Sequence, residues 1–331
     1  MDRRSFFKFT AMTALATLEG ETQAILLERE PKALPPQALG MLYDSTLCIG
    51  CKACVAACKR ANNRPPEIAE HHREWNIGTW DSAQDISGDT LNVIKVYTDG
   101  NMSQKDREVD GYAFMKRHCL HCVDPSCVSV CPVSAMQKDP LTGIVRHNPD
   151  ACIGCRYCVL SCPFSVPQFE YLTPFPQIHK CQFCYHLQAQ GQLPACCDVC
   201  PTGASLFGDA RALREEAKRR LAAQPGETYE FPRGKLGGDR LGHEGKIPHY
   251  QNHLYGEKEL GGTQVVYLAG VPFDKLGLPD PVPDRSYATL SEGIQHALYQ
   301  GMIAPMTLLG GLMFLAYRHR REDSSEEKSD E

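Results

Sequence analysis

Sixteen of the seventeen cysteines in this chain fall into four runs of four, and each run has the spacing of an iron–sulfur binding motif. Every run ends in two cysteines separated by three residues, and proline follows the last cysteine in all but the first run. Such spacing constrains the fold strongly, because loops and short helices must gather thiolates around compact inorganic groups. The runs are Cys48, Cys51, Cys54, Cys58; Cys119, Cys122, Cys127, Cys131; Cys152, Cys155, Cys158, Cys162; and Cys181, Cys184, Cys196, Cys200.

The spacing also predicts which cysteines act together. In motifs of this kind three cysteines of a run hold one cluster, and the fourth holds the cluster of a paired run. Runs two and three are close in sequence and predict a compact two-cluster unit, which leaves run one to pair with run four. We therefore expect four [4Fe–4S] clusters. Their ligand sets would be Cys48, Cys51, Cys54, Cys200; Cys58, Cys181, Cys184, Cys196; Cys119, Cys122, Cys127, Cys162; and Cys131, Cys152, Cys155, Cys158.

Two other uses of cysteine fit this pattern less well. Zinc sites use pairs of cysteines two residues apart, but they do not need a third cysteine nearby and a fourth before proline. Disulfide frameworks are typical of small exported domains, not of a chain of 331 residues. Cys197 belongs to no run, and we interpret it as a buried free thiol.

The N-terminal region, 1–30, resembles a twin-arginine export signal. Arg3 and Arg4 precede Ser5, two phenylalanines and Lys8, and a modest apolar stretch follows. Such a signal is recognised by an export receptor and directs a folded, cofactor-loaded protein across the membrane. It predicts a protein on the periplasmic side of a bacterial inner membrane.

A second apolar segment, 294–318, predicts a single transmembrane anchor. No Asp, Glu, Lys or Arg lies between Glu292 and Arg318, and about 20 apolar residues suffice to span a bilayer as a helix. Pro305 is tolerated better in such a helix than in a soluble one. The basic residues that follow predict a cytoplasmic end, with the rest of the protein in the periplasm. We expect the tail, 319–331, to be disordered.

The predicted fold class is α+β, with two nested ferredoxin-like modules, long loops and the transmembrane helix. The four-cluster domain is expected at 41–208, followed by a helix and an extended partner-binding segment at 209–293. Within that domain we place an inner module at 110–170, an outer module at 41–61 plus 171–208, and an insertion at 62–109 that holds Trp75 and Trp80.

Several elements follow from local patterns. Asp209 predicts the N-cap of an amphipathic helix to Ala223 whose charges, including Arg220, would face solvent. Segment 225–250 is expected to be loop, and 277–284 a proline-rich linker to the anchor. Strands are predicted at 92–97, 143–145, 204–208 and 264–271.

Composition and motifs exclude some classes of function. The net charge of −5 does not favour nucleic acid binding. The sequence contains no glycine-rich nucleotide loop and no spaced Ser, His and Asp set that predicts catalysis. Because no catalytic site of its own is apparent, the sequence does not decide whether the chain is itself an enzyme; it is expected to be the electron-transfer subunit of an oxidoreductase complex.

Three cysteine-rich segments resemble a known family: Leu47–Cys54, His121–Cys127 and Cys155–Cys158. They look like the four-cluster electron-transfer subunits of membrane-bound redox enzymes, which include those of dimethyl sulfoxide reductase, formate dehydrogenase-N and hydrogenase-2. The combination of an export signal with a C-terminal anchor is most similar to the hydrogenase-2 type. So are the segments Gly40–Thr46, Tyr255–Lys258 and Gly261–Val265.

The resemblance implies partners and a role. The partners would be the large and small subunits of a nickel–iron hydrogenase and a polytopic, quinone-reactive membrane subunit. Electrons from hydrogen would pass through four clusters to quinone. Two alternatives stay open: the electron-transfer subunit of a formate dehydrogenase or a sulfur-compound reductase, and an anchored ferredoxin whose clusters are mainly structural.

Overall fold

The computed structural model describes residues 29–65, 85–171, 174 and 176–326. The twin-arginine motif and both tryptophans lie outside these residues. Contacts divide the chain into a body, Pro31–Ser286, and a second unit that contains the C-terminal helix.

The body mixes short strands with short helices, as expected for an α+β fold. The strands are β1 (Leu39–Asp44), β2 (Val93–Thr98), β3 (Gln104–Lys105), β4 (Gly111–Arg117), β5 (Met136–Lys138), β6 (Val145–His147), β7 (Gln168–Phe169), β8 (Ile178–His179), β9 (Ser205–Asp209), β10 (Thr228–Phe231), β11 (His243–Lys246) and β12 (Val265–Leu268). The helices are α1 (Ala53–Ala61), α2 (Ser126–Ser129), α3 (Tyr157–Ser161), α4 (Tyr185–Gln188), α5 (Ala195–Asp198), α6 (Ala210–Ala222) and α7 (Tyr287–Glu326).

One three-stranded sheet, in the order β12-β1-β9, separates two layers of the body. β1 runs parallel to β12 and antiparallel to β9. Because side chains alternate along a strand, Leu42 and Val266 lie on one face of the sheet, where they pack with Leu213 of helix α6. Met41 and Tyr43 face the opposite way, into a core that also contains cysteines. The sheet therefore forms the wall between an ordinary apolar layer and the cysteine-rich layer.

Segment 209–286 packs into the body more than the sequence indicates. β12 is fully buried beside β1, and Tyr255 and Phe273 belong to the main core. Leu276 and Leu278, in and beside the predicted linker, are buried as well. Sequence patterns underestimate this packing because the strand pairing joins residues more than 200 positions apart.

The loop predicted at 225–250 is wrong in part, because β10 and β11 form an antiparallel pair there. Thr228–Phe231 alternates polar and aromatic residues, the period of a half-buried strand. Phe231 is buried and Tyr229 is half-buried. This alternating pattern covers only four residues among many glycines and charged residues, so it is hard to recognise in the sequence.

The prediction that Arg220 faces solvent is wrong. Its side chain is 0% exposed and forms ion pairs with Asp44 at 3.1 Å and Glu216 at 2.9 Å. Its guanidinium lies 5.1 Å from the Phe231 ring centroid. The helix period places Arg220 on the buried face with Leu213 and Ala217, where a charge needs partners that local sequence does not reveal.

Most of the predicted regular elements are present. The strands at 92–97, 204–208 and 264–271 correspond to β2, β9 and β12. Asp209 caps α6, and its carboxylate accepts hydrogen bonds from the Arg211 and Ala212 N–H groups at 3.0 and 2.9 Å. The strand predicted at 143–145 instead begins at Val145, because Gly143 adopts a positive φ of 71° in the preceding turn.

The short helices of the cysteine runs pack in pairs. α1, from run one, contacts α5, from run four, and α2 contacts α3 in the same way for runs two and three. From the predicted insertion, β2 pairs with β4, which leads into run two. The contacts between the paired helices bring the cysteines of the paired runs close together.

α7 is the one helix in the described part of the chain that is long and apolar enough to cross a membrane, over Tyr287–Arg318. Pro305 lies inside it, and the Thr307 hydroxyl donates to the Ile303 and Ala304 carbonyls at 2.9 and 2.8 Å. The helix continues to Glu326, which contradicts disorder at 319–326; Arg and Glu are good helix formers and extend a helix already begun.

Candidate metal centres

The structure brings cysteines from different runs together around three small cavities. Their volumes are about 330, 330 and 300 Å³, including the space at their open mouths. Site 1 is lined by Cys48, Cys51, Cys54 and Cys200. Site 2 is lined by Cys58, Cys181, Cys184 and Cys196. Site 4 is lined by Cys131, Cys152, Cys155 and Cys158.

A fourth group, site 3, consists of Cys119, Cys122, Cys127 and Cys162. Burial raises the pKa of the Cys122 thiol, and the other three cysteines are close enough to raise it further by their charge. In all four groups the last cysteine of one run joins the first three of another. The structure thus gathers the same sets that the spacing predicts as ligands.

A left-handed residue precedes the second cysteine in every run. Gly50 and Gly154 have φ of 69°, while Phe183 and His121 have φ of 52° and 49°. This conformation is unfavourable for bulky residues, so the surrounding fold must impose it. Successive N–H groups in such a turn point toward one centre and create a cradle for negative charge.

Backbone and side-chain N–H groups approach several of the sulfurs. Gly50 N–H lies 3.5 Å from Cys48 Sγ, and the N–H groups of Ala135 and Met136 lie 3.2 and 3.4 Å from Cys131 Sγ. In site 2 the Asn62 amide nitrogen lies 3.6 Å from Cys58 Sγ and 3.8 Å from Cys184 Sγ. Donors of this kind stabilise thiolates and clusters.

Burial makes ionisation of most of these thiols unfavourable in the absence of a metal. It raises the pKa of Cys58 to about 12 and that of Cys158 to about 11. Cys196 differs, since a hydrogen bond from Cys197 lowers its pKa and Lys116 adds to this effect. A bound cation overcomes the penalty elsewhere, because thiols release their protons when they bind metal.

Two buried lysines, Lys116 and Lys180, and the half-buried Lys138 supply positive charge next to these sites. Lys180 donates to backbone carbonyls of Val145 and Cys181, and Lys138 to that of Cys122. Among the described residues, no carboxylate forms an ion pair with any of the three. A buried ammonium without a counter-charge is costly. The negative charge of a thiolate-bound iron–sulfur cluster would compensate it, so these residues fit such a group.

Charge effects between cysteines of different sites indicate that the sites lie in a row. Cys196 of site 2 raises the pKa of Cys54 of site 1, Cys119 of site 3 raises that of Cys181 of site 2, and Cys158 of site 4 raises that of Cys127 of site 3, each in addition to the larger effect of burial. Between sites 2 and 3 the rings of His121 and Phe183 stack, with centroids 3.9 Å apart.

Sequence reasoning did not single out Lys116, Lys180 or Asn62. A weak signal was available for two of them, since Lys180 directly precedes the first cysteine of run four and Lys116 interrupts an apolar strand. Asn62 carries no such signal, because only the fold brings it beside Cys184.

Comparison with known proteins supports this chemistry. Residues 111–210 match the family described as a 4Fe-4S dicluster domain. That match covers runs two to four. The chain is 46% identical to the hydrogenase-2 operon protein HybA of Escherichia coli O157:H7, over 98% of this chain and 97% of that protein.

More distant relatives include the iron–sulfur subunit of a formate dehydrogenase. The nitrate-inducible formate dehydrogenase iron-sulfur subunit of Escherichia coli K12 is 29% identical over 89% of this chain and 92% of its own length. Protein NrfC of the same strain is 33% identical over 59% of this chain and 76% of its own length.

Proposed function

Because this chain belongs to the family of the hydrogenase-2 operon protein HybA, we propose that it is the electron-transfer subunit of a hydrogenase complex. It would hold four [4Fe–4S] clusters, one in each of sites 1 to 4. The observation that carries this proposal is the grouping of sixteen cysteines into four sets of four, three of them around small cavities, with the buried Lys116 and Lys180 nearby. The alternation of runs within every set is typical of paired ferredoxin-like modules.

When bound, each cluster takes up and releases one electron at a time. The chain's own residues hold the clusters in sequence and adjust their potentials through burial, charge and hydrogen bonds. The charge effects between cysteines of neighbouring sites favour the order 1, 2, 3, 4. Sites 1 and 4 are then the two ends, where electrons enter and leave.

Exposed apolar side chains lie near both ends, one beside site 1 and three beside site 4. Ile49 is 57% exposed beside site 1, and Ile153, Tyr157 and Leu160 are exposed beside site 4. Neighbouring exposed apolar side chains, as beside site 4, are typical of contact sites for partner proteins. The two ends are where the hydrogenase small subunit and the quinone-reactive membrane subunit would dock.

We place the body in the periplasm, anchored by α7 and exported by the twin-arginine route. The apolar length of Tyr287–Arg318 and the basic residues that follow it support this orientation. Electrons from hydrogen, released by the large subunit, would pass through this subunit to the membrane quinone.

The first experiment is purification of the native complex from detergent-solubilised membranes. Mass spectrometry should identify hydrogenase large and small subunits, whereas a formate dehydrogenase catalytic subunit would assign the chain to that enzyme instead. Iron analysis and a redox titration followed by electron paramagnetic resonance should then find four clusters of four irons in this subunit.

A variant tests whether the clusters form one path. Cys152→Ser should disturb site 4 and stop hydrogen-dependent quinone reduction, while Cys197→Ser, a change at a cysteine outside the four sets, should leave the iron content intact. If Cys152→Ser reduced quinone at the full rate, site 4 would not lie on the path. Clusters that do not titrate at all would indicate a structural role.

A further inference from the structure

One side-chain amide lies beside two sulfurs of site 2. Asn62 directly follows the last residue of α1 and lines the cavity of this site. Its amide nitrogen lies 3.6 Å from Cys58 Sγ and 3.8 Å from Cys184 Sγ, which are hydrogen-bonding distances for an atom as large as sulfur. Cys58 belongs to run one and Cys184 to run four. The amide therefore connects two ligands of the same site that come from distant parts of the chain.

The neighbours of the amide determine which of its two ends faces the sulfurs. The nitrogen also lies 2.8 Å from the Cys58 carbonyl oxygen. That oxygen and two thiolates can only accept hydrogen bonds, so the amide must direct its NH2 group toward them and not its oxygen. The NH2 group carries two hydrogens. One serves the carbonyl, and the other is available to the sulfurs.

The end of α1 does not depend on this side chain alone. The backbone N–H of Asn62 donates to the carbonyls of Cys58 and Lys59 at 3.1 and 3.3 Å. The Cys58 carbonyl thus keeps a donor when the side chain is changed. The contacts with sulfur are what the amide adds beyond a helix cap.

A donor at this position acts on the electron affinity of the site. Reduction adds one electron to the cluster, and part of the added negative charge spreads onto the cysteine sulfurs. A hydrogen bond to sulfur stabilises the more negative state more strongly, and hydrogen bonds to the sulfurs are among the factors that set the potential of such clusters. The low dielectric around buried sulfurs strengthens the effect.

We propose that Asn62 raises the reduction potential of the cluster at site 2 by donating a hydrogen bond to two of its four thiolate ligands. Asn62 binds no iron and acts through Cys58 and Cys184, so it is a positioning residue. The amide is uncharged, and its contribution therefore does not depend on pH. This inference rests on the proposed function, since it requires a cluster at site 2.

Redox titration of the purified complex, followed by electron paramagnetic resonance, tests the inference. Cys184→Ser changes a ligand of site 2 only, so the signal that it alters or removes belongs to that site. Asn62→Leu replaces the amide by an apolar group of similar size and should make the midpoint potential of this signal more negative. At a fixed potential the ratio of reduced to oxidised cluster should fall about tenfold, equal to about 59 mV for one electron.

Two further variants separate the hydrogen bond from packing. Asn62→Gln keeps the amide, and its extra methylene group can extend into the neighbouring polar cavity that Asn62 also lines, so its shift should be smaller. Asn63→Gly is the matched control, because it removes the adjacent amide at a position whose φ of 52° glycine adopts easily. It should leave all four potentials unchanged. Asn62→Ser, too short to reach both sulfurs, serves if the leucine variant does not fold.

The inference is wrong if Asn62→Leu, or Asn62→Ser in its place, keeps its full iron content and leaves the potential of site 2 unchanged. Equal shifts in Asn62→Leu and Asn62→Gln would indicate a packing effect and also overturn it. Loss of the site 2 iron in every Asn62 variant would show that the amide is needed for cluster binding and does not tune the potential. Failure of the proposed function is seen separately, because unmodified protein would then lack four reducible clusters.

Discussion

Gly50 shows how little space the first cysteine turn leaves. The residue has φ of 69°, and an added Cβ would lie 2.4 Å from the Phe114 ring. Gly191 has a similar φ of 72°, but an added Cβ there would meet nothing within 4 Å. The two glycines separate the cost of the backbone conformation from the cost of the clash.

We expect Gly50→Ala to destabilise the body by roughly 2–4 kcal/mol, the sum of the left-handed backbone cost and a core clash. Iron content at site 1 should fall as well. Gly191→Ala should cost only about 1–2 kcal/mol, from the backbone alone. Thermal unfolding and iron analysis of the two variants would check this, and equal losses would show that the Phe114 contact does not matter.

On the side of the β12-β1-β9 sheet that faces away from the cysteines, Arg220 stabilises the fold through its buried ion pairs. Its partner Asp44 is also fully buried and accepts a hydrogen bond from the Tyr250 hydroxyl at 2.7 Å. Arg220→Met should cost about 3–5 kcal/mol, because it leaves a buried carboxylate without its cation.

Arg219 provides the control for that variant. It pairs with the same Glu216 but has 64% side-chain exposure, so Arg219→Met should cost no more than about 1 kcal/mol. Chemical denaturation measures both changes. A small effect of Arg220→Met would mean that Asp44 finds water or another donor.

At the scale of single elements, α6 stabilises the sheet from the side away from the cysteines. Its first turn depends on Asp209, whose carboxylate accepts two backbone hydrogen bonds. Asp209→Ala should cost roughly 1 kcal/mol of stability, as loss of a helix cap does. Asp239→Ala, at an exposed turn residue, should have almost no effect. Denaturation midpoints that do not differ between the two would contradict the cap.

α7 carries the prediction about membrane attachment. A chain that stops after Ser286 keeps all four cysteine groups and loses the apolar helix. We expect it to move from the membrane to the soluble fraction when produced without its partner subunits, because α7 is the one helix among the described residues that is long and apolar enough to cross a bilayer. A chain that stops after Arg321 should stay in the membrane. Retention of the shorter chain after an alkaline wash would contradict the anchor.

Elements that depend on local patterns were predictable, and those that depend on distant pairing were not. Asp209 and the period of α6 define that helix within a few residues. The cysteine spacing gives three members of each group, because those three lie within one run and their geometry is local. The fourth member, such as Cys200 of site 1, follows from the way paired motifs of this kind exchange their last cysteine. Arg220 and Lys116 escaped prediction because partners from far along the chain, such as Asp44 and Ser205, bury them, and one sequence does not identify those partners. The strand β10 escaped prediction because its alternating pattern covers only four residues.

At the scale of the whole molecule, the cysteine groups are the core. Cysteines of sites 1, 2 and 3 belong to one buried hydrophobic core together with Met41, Tyr43 and Phe183. A structural metal site contributes on the order of 10 kcal/mol, comparable to the net stability of about 5–15 kcal/mol of a typical domain. The body should therefore depend on its clusters for folding.

Removal of iron by oxidation and chelation should unfold the body. Circular dichroism should show loss of the sheet and the short helices, and anaerobic reconstitution with iron and sulfide should restore them. α7 serves as an internal reference, since its helical signal should survive in detergent. A chelated body that kept its native spectrum and melting temperature would show that the apolar layer folds alone.

The position of β1 has a consequence for how the protein is made. This strand is synthesised first, yet it lies between β9 and β12 and has both neighbours only after Leu268 has left the ribosome. Site 1 likewise waits for Cys200. The first cysteines of a nascent chain therefore stay accessible to cluster-assembly proteins until late in translation. Complete pairing of β1 in the sheet can follow only after all four cysteine runs have been synthesised.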